Sequence, residues 1–233
     1  MQRARALKGL AAPINGTSLS SFSLSSLMSS QQQLVWVITG TSSGLGHDLT
    51  LAALARGDKV IATARARSIG TLDDLNAKGA DTLELDVTAP LDTLKEVAKK
   101  AVEIHGRVDV VVNSAGYILA GALEENTRRL PSFGAIIHFI SIPTRRYRNV
   151  YYSTNVFGAL NVTRAFLPYM RQRKTGTIVW MGSLTGWISG PAAGLYCTTK
   201  YALRGISGTL HEEISPLGLR STVSTLGPLG PTF

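Results

Sequence analysis

Leu34-Val35-Trp36-Val37-Ile38-Thr39-Gly40-Thr41-Ser42-Ser43-Gly44-Leu45-Gly46 is the stretch whose reading decides the fold. An apolar run of strand length meets a turn of glycine, serine and threonine, and an apolar-periodic segment follows. That order suits a buried parallel strand delivering the chain into a phosphate-binding turn at a helix N-terminus. Glycine lets the backbone turn tightly and come close to a ligand, while the unpaired N–H groups of a first helical turn favour an anion. A dinucleotide pyrophosphate is the expected occupant. Surface turns of many α/β proteins use the same residues, so the neighbouring units must decide.

They repeat the pattern. The strand at 34–39 leads through the turn into a helix ending near Arg56, with Gly57 placed as its C-terminal cap. Residues 59–65 read as a second strand, the polar stretch to Lys78 as a short helix, and 81–87 as a third strand. Leu91, Leu94, Val97 or Ala98, Ala101 and Val102 mark one face of a helix from about Pro90 to His105, and 108–113 is an almost wholly apolar fourth strand. Residues 155–172 follow as a helix with Val156, Phe157, Leu160, Val162, Phe166 and Met170 apolar, which Pro168 is expected to kink. A fifth strand at 176–181, a helix from about Tyr196 to Ile214 and a sixth strand at 220–225 complete the pattern. Alternating units with continuously apolar strands predict an α/β fold, a Rossmann-like doubly wound parallel sheet in a single domain, with ligands bound beyond the carboxyl ends of the strands.

Composition narrows the function. The 233 residues can bury one good core, and no uninterrupted apolar run approaches the ~20 residues of a membrane span, so a soluble protein is expected. Cys197 is the single cysteine, which excludes an internal disulfide and a cysteine-cluster metal site. The four histidines, His47, His105, His138 and His211, lack ligand spacing, so no metal is expected. Of the net charge of +9, three units come from Arg3, Arg5 and Lys8 and five from Arg128, Arg129, Arg145, Arg146 and Arg148. The rest is nearly neutral, so no nucleic-acid partner is expected.

Tyr196 and Lys200 stand four apart in the last helix and therefore share a face. An ammonium beside a phenol favours the phenolate, so Lys200 is expected to lower the tyrosine pKa and make Tyr196 a usable acid or base near neutral pH. Ser183, just past the fifth strand, is expected to meet Tyr196 at the rim and hydrogen-bond a carbonyl oxygen. Taken singly, a Tyr and a Lys at helical spacing are an amphipathic stem and a solvated charge.

Together with the opening turn, these residues make the chain resemble the short-chain dehydrogenase/reductase family from about Leu34 to Gly218. The family's Thr-Gly-x-x-x-Gly-x-Gly matches residues 39–46, with glycines at Gly40, Gly44 and Gly46 and with Thr41, Ser42, Ser43 and Leu45 between them. Its Asn-Asn-Ala-Gly is similar to Asn113-Ser114-Ala115-Gly116, and its Tyr-x-x-x-Lys matches Tyr196 to Lys200. Its upstream serine matches Ser183, its helix asparagine falls on Asn155, and the acid that bonds the adenine ring corresponds to Asp86 with Val87. The resemblance implies hydride transfer between nicotinamide and a carbonyl or secondary alcohol of an apolar small molecule. Tyr196 is then the proton donor or acceptor, Lys200 holds the ribose hydroxyls, Ser183 fixes the substrate oxygen and Asn155 anchors the proton relay. Arg65 ends the second strand where an acid would bind a ribose 2′-hydroxyl, and a cation there, with Arg67 beside it, suits a 2′-phosphate, so NADP(H) is expected over NAD(H). Family members form dimers or tetramers through helices corresponding to 155–172 and 196–214, which implies a homo-oligomer.

Three stretches depart from the pattern. Residues 1–33 are Ser- and Gln-rich and acid-free, which fits a disordered tail, a transit peptide or a start at Met28. The cytoplasm is the expected compartment, and mitochondria follow if 1–27 is a transit peptide. Residues 128–150, with Pro131, Pro143 and five arginines, are an atypical insertion, read as a retained intron or gene-model error or as a basic surface or membrane-contacting loop. The end at 226–233 only loosely resembles the family's nicotinamide-covering Pro-Gly-x-x-x-Thr, so an incomplete C-terminal part is expected, and with it either truncation or a catalytically weak cofactor binder.

Overall fold

The computed structural model describes residues 32–123 and 151–225. Contacts divide the chain into Met1–Gln32 and Gln33–Phe233, and the fold is that of the second unit. The expectations for the N-terminal stretch before Gln32, for 128–150 and for 226–233 lie outside the described residues.

Six strands form one sheet: β1 (Val35–Thr39), β2 (Lys59–Ala64), β3 (Asp81–Glu84), β4 (Val110–Asn113), β5 (Gly176–Met181) and β6 (Leu219–Ser224). Their order is β3-β2-β1-β4-β5-β6 and every pairing is parallel. The chain winds outward from β1 to β3, returns to lay β4 beside β1, and winds outward again, so the order reverses between β1 and β4. In an open parallel sheet that reversal leaves a crevice past the carboxyl ends of the two strands, where ligands bind. This is the doubly wound α/β arrangement that the apolar runs imply.

Helices cover both faces: α1 (Gly44–Ala55), α2 (Asp73–Ala77), α3 (Leu91–His105), α4 (Ala159–Arg173) and α5 (Gly194–Ile214). Val37, Ile61, Leu94, Ala98, Phe166, Met170, Ile178 and Trp180 belong to one continuous buried cluster, which joins the sheet to α3 and α4. Burial of this kind stabilises by roughly 25 cal/mol per Å2 of apolar surface, which makes it the main force holding the layers together. The amino-terminal edge is fastened by two buried carboxylates. Asp58 accepts from the Leu34 N–H, the Trp36 indole and Arg56. Asp109 accepts from the Val35 N–H, Arg107 and Arg173. Burial would raise the Asp109 pKa, but those donors hold its carboxyl below the usual range.

One expectation for the 155–172 helix is corrected. A π-helical turn occupies Ser153–Gly158 ahead of α4. Its wider turn advances the helix by a residue, so Asn155 and Val156 are buried while Phe157, expected on the apolar face, is 55% exposed. Pro168 lies within α4, which runs on past it to Arg173.

Candidate active site

The crevice between β1 and β4 is built by small residues and one hydroxyl. Thr39 donates to the Val112 carbonyl at 3.2 Å and accepts from the N–H groups of Ser114 and Ala115, each at 3.0 Å. One side chain thus locks the carboxyl end of β1 to the loop after β4, a connection that the sequence motif does not announce. Gly40 turns through φ +70°, and a Cβ on it would stand 2.7 Å from the Ala115 Cα. A Cβ on Gly46 would stand 2.5 Å from the Gly40 carbonyl oxygen and 3.1 Å from the Ser114 hydroxyl. Both are backbone-to-backbone approaches that only glycine permits.

The remainder of the turn follows. Thr41 is buried and donates through both its N–H and its hydroxyl to the Thr63 carbonyl, tying the turn to β2. Ser42 is half-buried, and Ser43, Gly44 and Leu45 are exposed. Ser43 occupies the N-cap of α1 in extended backbone, its side chain does not cap the helix, and the first turn carries no acid. The helix therefore presents its N–H groups and positive dipole end without a side-chain anion of its own. These residues fit a dinucleotide pyrophosphate on steric and electrostatic grounds.

On the β2 side of the crevice, Arg65 and Arg67 are exposed just past β2, and Arg65 is close enough to Tyr117 to act on its phenol electrostatically. Asp86 follows β3 and accepts from the Thr88 N–H at 2.9 Å and hydroxyl at 2.7 Å, which fixes its carboxylate in a short turn. Val87 is buried, and a Cβ on Gly158 would stand 2.8 Å from its side chain. Asn113 is buried with its amide donating to Thr163 at 2.9 Å, so its side chain secures α4. Ala115 meets Gly40 across the crevice, and Gly116 packs on the Asn155 side chain.

The second group gathers past β5. Ser183 accepts from the Thr185 N–H and hydroxyl at 3.2 and 2.9 Å, opening a 3-10 turn over Leu184–Gly186, and its hydroxyl is near enough to the Tyr196 phenol to favour the phenolate. Lys200 stands one helical turn beyond Tyr196, with Nζ 5.5 Å from the centre of its ring and donating to the Met181 carbonyl at 2.6 Å. Ser183, Tyr196 and Lys200 are thus brought together. Asn155 is fixed by a reciprocal clasp: its amide donates to the Tyr117 carbonyl at 2.8 Å and accepts from the Tyr117 N–H at 3.2 Å. Tyr117, which directly follows the Asn-Ser-Ala-Gly run, has no signal in the sequence for this role.

One electrostatic expectation changes. Burial raises the Tyr196 phenol above its ordinary value, and the nearby Ser183 hydroxyl opposes it. Lys200 directs its charge at the Met181 carbonyl, and burial lowers its own pKa to about 8. Its folded pKa is below the unfolded one, so between about pH 8 and 10.5 the unfolded chain binds more protons and stability rises with pH. Lys200→Met is expected to raise the melting temperature at pH 7 and to flatten that dependence. Thermal unfolding across pH checks it, and a variant less stable than the parent at pH 7 contradicts it.

The comparisons agree with this geometry. Residues 34–232 match the family described as short chain dehydrogenase. An oxidoreductase of Botryotinia fuckeliana is 35% identical over 191 residues, which take in 81% of this chain and 63% of that protein. A 3-ketodihydrosphingosine reductase of Bacteroides thetaiotaomicron is 30% identical over 203 residues, 87% of this chain and 66% of that protein. Among solved structures, a short-chain dehydrogenase from Streptomyces avermitilis superposes with TM-score 0.70 at 37% identity, covering 84% of this chain and 65% of that one. ElxO with NADP bound superposes with TM-score 0.69 at 25% identity, covering 84% and 73%. The chain therefore spans just under two thirds of the Botryotinia and Streptomyces proteins. Among the described residues no helix is long and apolar enough to cross a membrane.

Proposed function

The chain belongs to the short chain dehydrogenase family, and on that premise we propose that it is an NADP(H)-dependent oxidoreductase acting on a carbonyl or secondary alcohol of an apolar small molecule. The observation that carries this reading is the meeting of Ser183, Tyr196 and Lys200 past β5, on the same sheet edge as the glycine turn. When bound, the nicotinamide supplies or accepts the hydride. Tyr196 gives its phenolic proton to the carbonyl oxygen in reduction and takes it back in oxidation. Ser183 holds that oxygen by a hydrogen bond. Lys200 binds the ribose hydroxyls, and the Asn155 clasp on Tyr117 fixes the loop over the crevice. Leu184 and Ile188, exposed beside Ser183, and Leu123, packed on Gly194 at the start of α5, supply an apolar rim. The related sphingoid-ketone reductase and the NADP carried by ElxO support the substrate and cofactor classes.

Arg65 carries the cofactor preference. Arg65→Ala is expected to raise the NADPH Kd by about ten- to a hundredfold, the worth of a charge-assisted phosphate contact, and to leave the NADH Kd unchanged. Fluorescence titration with both cofactors checks it, and equal weakening of the two contradicts a 2′-phosphate contact.

One observation favours a second reading, a catalytically weak NADP-binding protein: Lys200 is committed to the Met181 carbonyl and does not lower the Tyr196 pKa. Purified protein assayed for NADPH binding and for NADPH oxidation with a panel of apolar ketones separates the two. Turnover supports the oxidoreductase, and binding without turnover supports the weak binder.

A further inference from the structure

The turn that carries Ser183 lies on α5, fastened by one stripe of that helix. Cys197, Tyr201 and Arg204 are spaced four and three residues apart and therefore share a face. Tyr201 donates its hydroxyl to the Trp187 carbonyl at 2.6 Å. The Arg204 guanidinium stacks 3.5 Å from the centre of the Trp187 ring. The Cys197 thiol points at the Ile188 carbonyl at 3.9 Å. Between these contacts a Cβ on Gly186 would stand 3.1 Å from the Lys200 carbonyl oxygen, so the turn rests directly on the helix backbone. Trp187 closes the turn, its N–H donating to the Leu184 carbonyl at 2.9 Å.

Nothing in the hydride-transfer scheme requires Tyr201 or Arg204, and neither pairing is explained by burial. Tyr201 is 41% exposed and Trp187 53%, so little apolar area would be lost by releasing them. What the contacts do achieve is registration. Ser183 sits at the start of a turn whose far end is gripped from the same helix that carries Tyr196 and Lys200.

We propose that Tyr201 and Arg204 are positioning residues that clasp Trp187 and thereby hold the Ser183 hydroxyl against Tyr196, an inference that rests on the reading of the function given above. The charged and polar groups that face Tyr196 are Ser183, Cys197, the buried Tyr151 phenol and Lys200, whose Nζ stands 5.5 Å from the ring centre but donates to the Met181 carbonyl. Of these, Ser183 is the one the clasp governs. Releasing the turn draws away a hydroxyl that favours the phenolate, so the phenol pKa rises. In reduction Tyr196 works protonated and activity is lost as pH rises through that pKa, so the basic limb of kcat moves upward.

The test compares Tyr201→Phe/Arg204→Gln with the parent and with Arg204→Lys, which keeps a cation over the indole. Hydrogen exchange at the Thr185, Gly186 and Trp187 amides reads the clasp without any turnover, and about tenfold faster exchange is expected in the double variant. With a ketone that the parent reduces, kcat is expected to fall about tenfold, the scale of a sub-ångström misplacement, with an unchanged KM for NADPH, an upward basic limb and partial recovery in Arg204→Lys. Parental exchange rates at those amides would overturn the clasp. Faster exchange with parental kcat and an unmoved limb would overturn the positioning role. A parent that reduces no ketone sinks the proposed reaction instead, and the exchange measurement still decides whether the clasp exists.

Discussion

Tyr196→Phe is expected to lower kcat for ketone reduction by about 10²- to 10⁴-fold, the range supplied by a positioned general acid, and to leave the NADPH Kd unchanged. The substitution removes only an oxygen. The ring remains as filler in its half-buried place, so α5 and the Lys200 ammonium 5.5 Å from the ring centre keep their positions. What disappears is the proton that the carbonyl oxygen needs as the hydride arrives. Steady-state assays beside cofactor titration separate the two effects, and a variant with parental kcat shows that the proton comes from elsewhere.

Gly46→Ala is expected to weaken NADPH binding by roughly a hundredfold, about 3 kcal/mol, and to lower stability by ~1–3 kcal/mol. The added methyl would stand 2.5 Å from the Gly40 carbonyl oxygen, and nothing there can swing aside because the obstacle is backbone. Relief requires either α1 to retreat or the Gly40 turn to rotate. Each route separates the helix N–H groups from the crevice and strains the contact between Gly40 and Ala115. Titration of the variant with NADPH, with unfolding as a control, checks it. Parental affinity shows that the pyrophosphate does not depend on the close packing of this turn.

Strands were legible in the sequence because buried parallel strands are apolar on both faces. The run at 176–181 coincides with β5, and the other five differ by one to three residues at their ends. At β3 and β4 the apolar pattern outlasts the strand, because Leu85 still donates to Ala64 and Asp109 to Val35 outside the regular pairing. The helix after 150 was harder. Its apolar periodicity assumes a constant 3.6 residues per turn, and the π turn at Ser153–Gly158 breaks the phase, which is why Phe157 was expected inside and lies outside.

In the candidate site, residues that meet through sequence spacing were legible and those that meet through folding were not. Tyr196 and Lys200 follow from helical spacing, as does the glycine turn from its strand. Thr39 bridging to Ser114 and Ala115, and Asn155 clasping Tyr117, join segments 75, 76 and 38 residues apart. Tyr201 and Arg204 belong to no motif in the sequence, and only the position of Trp187 gives them a partner. The pKa of Tyr196 was misjudged for a related reason: spacing brings Lys200 near, but the Met181 carbonyl decides where its charge points.

The central claim is that this chain moves a hydride from NADPH to a carbonyl carbon with Tyr196 as the proton donor. Its most direct measurement uses NADPH deuterated at nicotinamide C4 and a panel of apolar ketones, with the alcohol product examined by mass spectrometry for the parent and for Tyr196→Phe. The expected result is one deuterium on the carbinol carbon with the parent protein and at least about a hundredfold less product with the variant. Alcohol without carbon-bound deuterium from either prochiral C4 label, or equal product from both proteins, would contradict it.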